Sequence, residues 1–89
     1  MRIAEIKSID YVGKEVKIRG WVYRLRRQKG NSFILLRDDR GSIIQCVFPS
    51  SQFNYLTRES SVQITGMLKQ DARAPEGGFE IDGTDLEIF

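Results

Sequence analysis

Residues 16–48 read VKIRGWVYRLRRQKGNSFILLRDDRGSIIQCVF. Val16, Ile18 and Val22 alternate with Lys17, Arg19 and Tyr23, the period of two expected of a half-buried strand. That strand runs on through Trp21 toward Arg27. Gln28 to Asn31 is turn chemistry around Gly30. Phe33 to Arg37 makes a second strand, Asp38 to Ser42 a second glycine turn, and Ile43 to Phe48 a third strand.

Outward from this block the pattern continues. Upstream, Ile3, Ile6 and Ile9 recur at helical spacing, which predicts a short N-terminal helix over residues 3–9 before Gly13. Downstream, Pro49, Ser50 and Ser51 break the sheet and offer a helix start, with Phe53, Leu56 and Tyr55 as a short apolar face. Ser61 to Leu68 alternates again. Residues 69–78 (KQDARAPEGG) read as a long polar loop. Phe79, Ile81, Leu86 and Ile88 form a last strand, bent or bulged at Gly83. Three strands, a short helix between strands 3 and 4, then two strands is the layout of an all-β, five-stranded OB-fold barrel. Closure also removes most unpaired edges from a chain of 89 residues, which has room for one core.

Composition excludes several kinds of chemistry. The chain has no histidine and one cysteine, Cys46. An internal disulfide, a zinc site of the usual ligands, and His-dependent acid–base or nucleophilic catalysis all fall away. Cys46 reads as a small buried hydrophobe. No apolar run approaches a membrane span, and the N-terminus alternates charged and apolar residues too closely for a signal peptide. Net charge is only +2, but it is unevenly spread. Residues 1–40 carry 11 Lys/Arg against 5 Asp/Glu, whereas residues 41–89 carry 3 against 7. The asymmetry points to a nucleic-acid face built from first-half elements, against the blander reading of a solvated charged strand.

Strand parity then sorts core from surface. Ile34 and Leu36 suit the core, leaving Phe33, Leu35 and Arg37 outside. Ile44, Cys46 and Phe48 suit the core, leaving Ile43, Gln45 and Val47 outside. Phe79 and Ile81 point in, and Glu80 and Asp82 point out. The expected surface therefore exposes an aromatic (Phe33), an amide (Gln45) and a carboxylate (Glu80), with Arg24, Arg26, Arg27 and Lys29 nearby. An exposed ring stacks on an unpaired base. An amide matches the edge of uracil, and a carboxylate accepts from the Watson–Crick N–H groups of guanine. Arg24 and Lys29 suit phosphate contacts. Taken singly, each residue has an ordinary alternative. Phe33 becomes core if the register slips by one, and Gln45 or Glu80 alone is a common solvated strand residue.

Together the residues carry a resemblance. GWVYRLRRQKG followed by FILLRDDRGSIIQCVF, and then RESSVQITGMLKQDARAP with paired glycines and FEI, resembles the N-terminal anticodon-binding domain of class IIb aminoacyl-tRNA synthetases. The stretch RESSV, the glycine four residues after its valine, and A-P before paired glycines are closer to asparaginyl than to aspartyl or lysyl enzymes. The likeness covers Val12 to Phe89. It implies that residues 1–89 are a single OB-fold domain that binds the tRNA anticodon stem-loop. Phe33 would stack on the middle base, Gln45 would read a middle uracil, and Glu80 would contact a first-position guanine. Either Arg26 or Arg27 would match the family's end-of-strand arginine. One departure stands out: the turn from Arg37 to Gln45 is one residue longer than usual, which could put Gln45 on the wrong face unless the turn absorbs it.

The resemblance also implies what lies outside these residues. The family's catalytic domain, with its ATP and Mg, is not in this sequence, so the chain is expected to hold no cofactor or metal and to catalyse nothing. The parent is expected to be a cytoplasmic, homodimeric asparagine–tRNA ligase. The competing readings are an aspartyl-type anticodon domain, a general single-stranded nucleic-acid binder with several aromatics along its groove, a protein-binding OB domain with an exposed apolar patch, and a small enzyme.

Overall fold

The alternating stretches quoted above form the wall of a closed barrel. The computed structural model describes residues 2–49 and 60–89. The strands are β1 (Glu15–Gln28), β2 (Asn31–Arg37), β3 (Ile43–Phe48), β4 (Ser61–Gln70) and β5 (Phe79–Ile88). Their order around the barrel is β1-β2-β3-β5-β4, and β4 closes back onto β1. All pairings are antiparallel except β3 with β5. The helix expected between β3 and β4 lies outside the described residues.

Parity placed the core correctly. Ile34, Leu36, Ile44, Cys46, Ile64 and Ile81 are fully buried and join Val16, Ile18, Val22 and Phe48 in one cluster. Two expectations need correction. The N-terminal helix α1 covers only Ile3–Ile6, and a 3-10 turn follows at Ile9–Tyr11. Ile3 and Ile6 plug the core, but Ile9 stays exposed, because the chain leaves the helix before a second turn can bring it round. Nor are residues 69–78 all loop. β4 continues to Gln70, and a short helical turn α2 (Pro75–Gly78) starts at the proline, where a missing N–H costs nothing.

Two backbone details position the outer face. The hairpin from Gln28 to Asn31 turns through Lys29 and Gly30, both at positive φ, which is the two-residue turn whose twist suits a hairpin. In β5 the register against β4 slips by one at Thr84, beside Gly83. Gly83 is required there, since a Cβ would run into the buried Phe48 ring.

Cys46 is wholly enclosed, and its thiol pKa is driven far above the ordinary range by burial first and by the Glu80 carboxylate second. The thiolate is the reactive form. Cys46 should therefore be silent to Ellman's reagent in the folded domain and react at once in denaturant. Rapid labelling without denaturant would show that the barrel opens at β3.

Candidate nucleic-acid interface

The outer face is organised as two rows of side chains running across the strands. Pairing sets Arg24 opposite Leu35, Leu35 opposite Gln45, Gln45 opposite Glu80, and Glu80 opposite Lys69. The second row sets Arg26 opposite Phe33, Phe33 opposite Val47, Val47 opposite Asp82, and Asp82 opposite Met67. Residues facing each other across neighbouring strands share a face. Phe33, Gln45 and Glu80 therefore lie on one surface, with Arg24 and Arg26 at its edge.

The arginines reach that surface because β1 is bulged. Its register against β2 skips Tyr23. A bulge inserts one residue and flips the parity beyond it. Without it, the even-numbered positions that bury Val16, Ile18 and Val22 would turn Arg24 and Arg26 inward. With it, Leu25 packs against the core and both arginines face out. The sequence carried a signal for this: in Arg24-Leu25-Arg26-Arg27 the lone apolar residue sits on the opposite parity from Val22. Arg26 lies over the Phe33 ring, its guanidinium carbon 5.1 Å from the ring centroid. Arg27 stands on the alternate parity, opposite the buried Ser32. Lys29 is at the exposed hairpin tip.

The lengthened turn before Gln45 is absorbed locally. Asp38 is buried, and its carboxylate accepts from the backbone N–H groups of Arg40 and Ser42 at 3.0 and 3.1 Å. Its other oxygen accepts from the Ile3 N–H at 2.9 Å, tying α1 to the same turn. Gly41 adopts φ +83. The β2–β3 ladder then runs without a slip from Arg37–Ile43 to Ser32–Phe48, so Gln45 keeps the Phe33 face. In the sequence Asp38 reads only as a turn residue. Its role as the clasp of turn and helix was missed, because the partner at Ile3 is 35 residues away.

Gln45 and Glu80 correct the sequence reading in another respect. They were expected to be exposed, yet Gln45 is 9% and Glu80 6% exposed. They do face outward from the barrel, but the segment after β4 folds back over them. α2 packs against β3, and Arg73 and Pro75 line one groove with Gln45, Phe33, Leu35, Arg24 and Arg26. Parity assigns a face, and it cannot foresee a later loop lying on that face. Beneath this cover the polar groups satisfy one another. Gln45 Nε2 donates to Glu80 Oε2 at 2.6 Å, and Lys69 Nζ lies 3.1 Å from Glu80 Oε1 and 3.0 Å from Asp82 Oδ1. The hydrogen bond to Asp82 raises the Lys69 pKa most, partial burial opposes it, and Glu80 adds to the rise. A raised lysine pKa contributes stability that is complete below the ordinary lysine range and fades only as pH rises through the raised value. This lysine link is thus intact throughout the neutral range.

The groove, of about 450 Å³, can therefore offer a ring for stacking, an amide backed by its bond to the Glu80 carboxylate, and cations from Arg24, Arg26 and Arg73. A roomier concavity beside α1 sets Arg2, Lys17 and Arg19 against Glu5, Asp38 and Asp39, so its charges balance and it lacks the net cationic lining that a phosphate backbone favours. Among the described residues there is no cluster of three or more His, Cys, Asp or Glu placed to hold a metal ion.

Residues 16–89 match the tRNA anti-codon model, described as an OB-fold nucleic acid binding domain. The chain is 42% identical over 97 residues to an asparagine–tRNA ligase of Thermoplasma acidophilum, a match that takes in 100% of this chain and 22% of the ligase. It is 42% identical over 82 residues to an aspartate–tRNA(Asp/Asn) ligase of Saccharolobus solfataricus, covering 86% of this chain and 19% of that protein. Among solved structures it resembles asparaginyl-tRNA synthetase from Pyrococcus horikoshii complexed with asparaginyl-adenylate, with a TM-score of 0.85, 34% identity, and coverage of 100% of this chain and 22% of that one. The chain thus spans about a fifth of the length of the curated relatives it matches.

Proposed function

Since the chain belongs to the tRNA anti-codon family of OB-fold nucleic acid binding domains, we propose that it binds tRNA through the anticodon loop, as the anticodon-recognition domain of an asparaginyl-tRNA synthetase or of a free-standing relative. The observation that carries this reading is the alignment of Phe33, Gln45 and Glu80 on one face, bordered by arginines. Phe33 stacks on the middle anticodon base. Gln45 pairs with uracil there, and Glu80 accepts from guanine at the first position. Arg26, which shares the Phe33 face, is favoured over Arg27 as the end-of-strand arginine. Arg24 and Lys29 contact phosphates. The asparaginyl assignment is supported by relatives at 42% and 34% identity.

Residues 1–89 are read as one recognition domain that performs no chemistry, within a parent that ligates asparagine to tRNA. Its use of ATP and Mg, its homodimeric state and its cytoplasmic location are carried by the family resemblance alone. Among the described residues no helix is long and apolar enough to cross a membrane.

The deciding experiment is a titration of an anticodon stem-loop against oligo-dT of equal length. Clear preference for the stem-loop supports anticodon recognition, and equal affinity would favour a general single-strand binder. Phe33→Ala sharpens the test. It should weaken stem-loop binding by about 1–3 kcal/mol, the usual worth of one stacked base. Stability should change little beside the roughly 3–5 kcal/mol cost of truncating a core phenylalanine, because the ring is only half-buried on the outer face. A large drop in melting temperature with unchanged RNA affinity would reassign Phe33 to the fold.

A further inference from the structure

Glutamine is a two-faced reader. Uracil presents a carbonyl oxygen beside an N–H, while cytosine presents an amino group beside a bare ring nitrogen. A side-chain amide complements either one, because a half-turn about its last torsion exchanges Oε1 and Nε2. A freely turning Gln45 would therefore accept both pyrimidines at the middle position.

Gln45 is not free to turn. Its amide is buried 2.6 Å from a Glu80 carboxylate oxygen. An ionised carboxylate only accepts hydrogen bonds, so the amide end facing it must be the NH2 group. Turning the amide would set Oε1 against a buried carboxylate oxygen and leave two acceptors facing each other without a proton. Lys69 holds the other Glu80 oxygen at 3.1 Å and is itself tied to Asp82 at 3.0 Å, which keeps the carboxylate in place. Gln45 then presents Oε1 and its remaining Nε2–H to whatever enters the groove. For a base held in one orientation, a fixed amide serves only one of the two pyrimidines, and the anticodon reading makes that one uracil.

We propose that Glu80 is a positioning residue for Gln45, and that by locking the amide it determines discrimination of uracil from cytosine at the middle anticodon base. The proposal rests on the anticodon reading above and adds a coupling between two positions that would otherwise be read separately.

The test has two arms on the whole domain. In the RNA-free arm, NMR follows the side-chain NH2 of Gln45. One of its two protons should exchange slowly in the wild type compared with Gln28 and Gln70, and this protection should be lost in Glu80→Ala. Equal, rapid exchange of both protons in the wild type would overturn the proposal whatever the RNA does. In the binding arm, stem-loops differing only at the middle base are compared. The wild type should prefer uracil to cytosine by roughly tenfold or more. In Glu80→Gln the neutral amide can turn together with Gln45, so that preference should fall to within about twofold. Rejection of middle purines, which depends on groove size, should persist. Glu80→Gln keeps the shape of the side chain, and its urea midpoint confirms the fold. Should it unfold, Lys69→Met loosens the same carboxylate from the groove's edge and should narrow the ratio in the same direction. An unchanged uracil–cytosine ratio in a folded Glu80 variant would overturn the proposal. A wild type with a locked amide but no middle-base preference would instead overturn the anticodon reading, and the selectivity claim with it.

Discussion

Asp38→Ala should lower the unfolding free energy of the domain by about 2–4 kcal/mol. The substitution removes both carboxylate oxygens and strands three backbone donors, at Ile3, Arg40 and Ser42. The Ile3 N–H is buried, so it bears most of the penalty, while water can partly serve the other two. For a domain of this size the melting temperature should fall by about 10–25 °C. Urea unfolding followed by circular dichroism gives the direct reading, and the slope should stay constant, since the barrel still unfolds as one unit. Asp38→Asn, which keeps one carbonyl oxygen, should recover part of the loss. Asp39→Ala is the control: its pairing with Arg2 is at the surface and should be worth less than about 1 kcal/mol. A change in Asp38→Ala no larger than in Asp39→Ala would refute the clasp. The loss would also reach function, because the same turn sets the β2–β3 register that brings Gln45 beside Leu35 and opposite Glu80.

The barrel was legible because one period governs most of it. Alternation in β2 and β3 assigned Ile34, Leu36, Ile44 and Cys46 to the core, and each is fully buried. What alternation cannot carry is a change of phase or a second layer. The bulge at Tyr23 is a change of phase, and only Leu25, apolar among arginines, betrays it. The cover over Gln45 and Glu80 is a second layer, supplied by Arg73 and Pro75, some 30 positions after Gln45 in the chain. Lys69 went unnoticed for a related reason: taken as the first residue of a loop, it lies on β4 directly opposite Glu80. The candidate site was thus read as a set of residue types on a face. The bonds among those residues required the register of three strands at once.

The same geometry sets the expected response to salt. Arg24 and Arg26 stand at the outer edge of the two rows, Lys29 at the hairpin tip, and Arg73 across the groove. Lys69 is not counted with them, because Glu80 and Asp82 already neutralise it. Arg73 lies near Asp71, whose carboxyl is held below its ordinary range by the Arg73 backbone N–H first, so its charge is partly offset. Three to four phosphate contacts on a single strand give a slope of log affinity on log salt of about −2 to −3. Raising salt from about 50 to 500 mM should then weaken stem-loop binding by roughly a hundredfold or more. Single substitutions divide the effect. Arg24→Ala and Lys29→Ala should each reduce the slope by about 0.7 and weaken all sequences alike, as a lost phosphate contact does. Arg26→Ala should do more, since the guanidinium over Phe33 also contributes to the stacking surface. Arg19→Ala tests whether mere net charge is responsible. Arg19 stacks on Phe89 and bonds to Gln63, outside both rows, so the slope should not move. If Arg19→Ala lowers the slope as much as Arg24→Ala, binding follows the overall charge of the domain, and the groove is not its address.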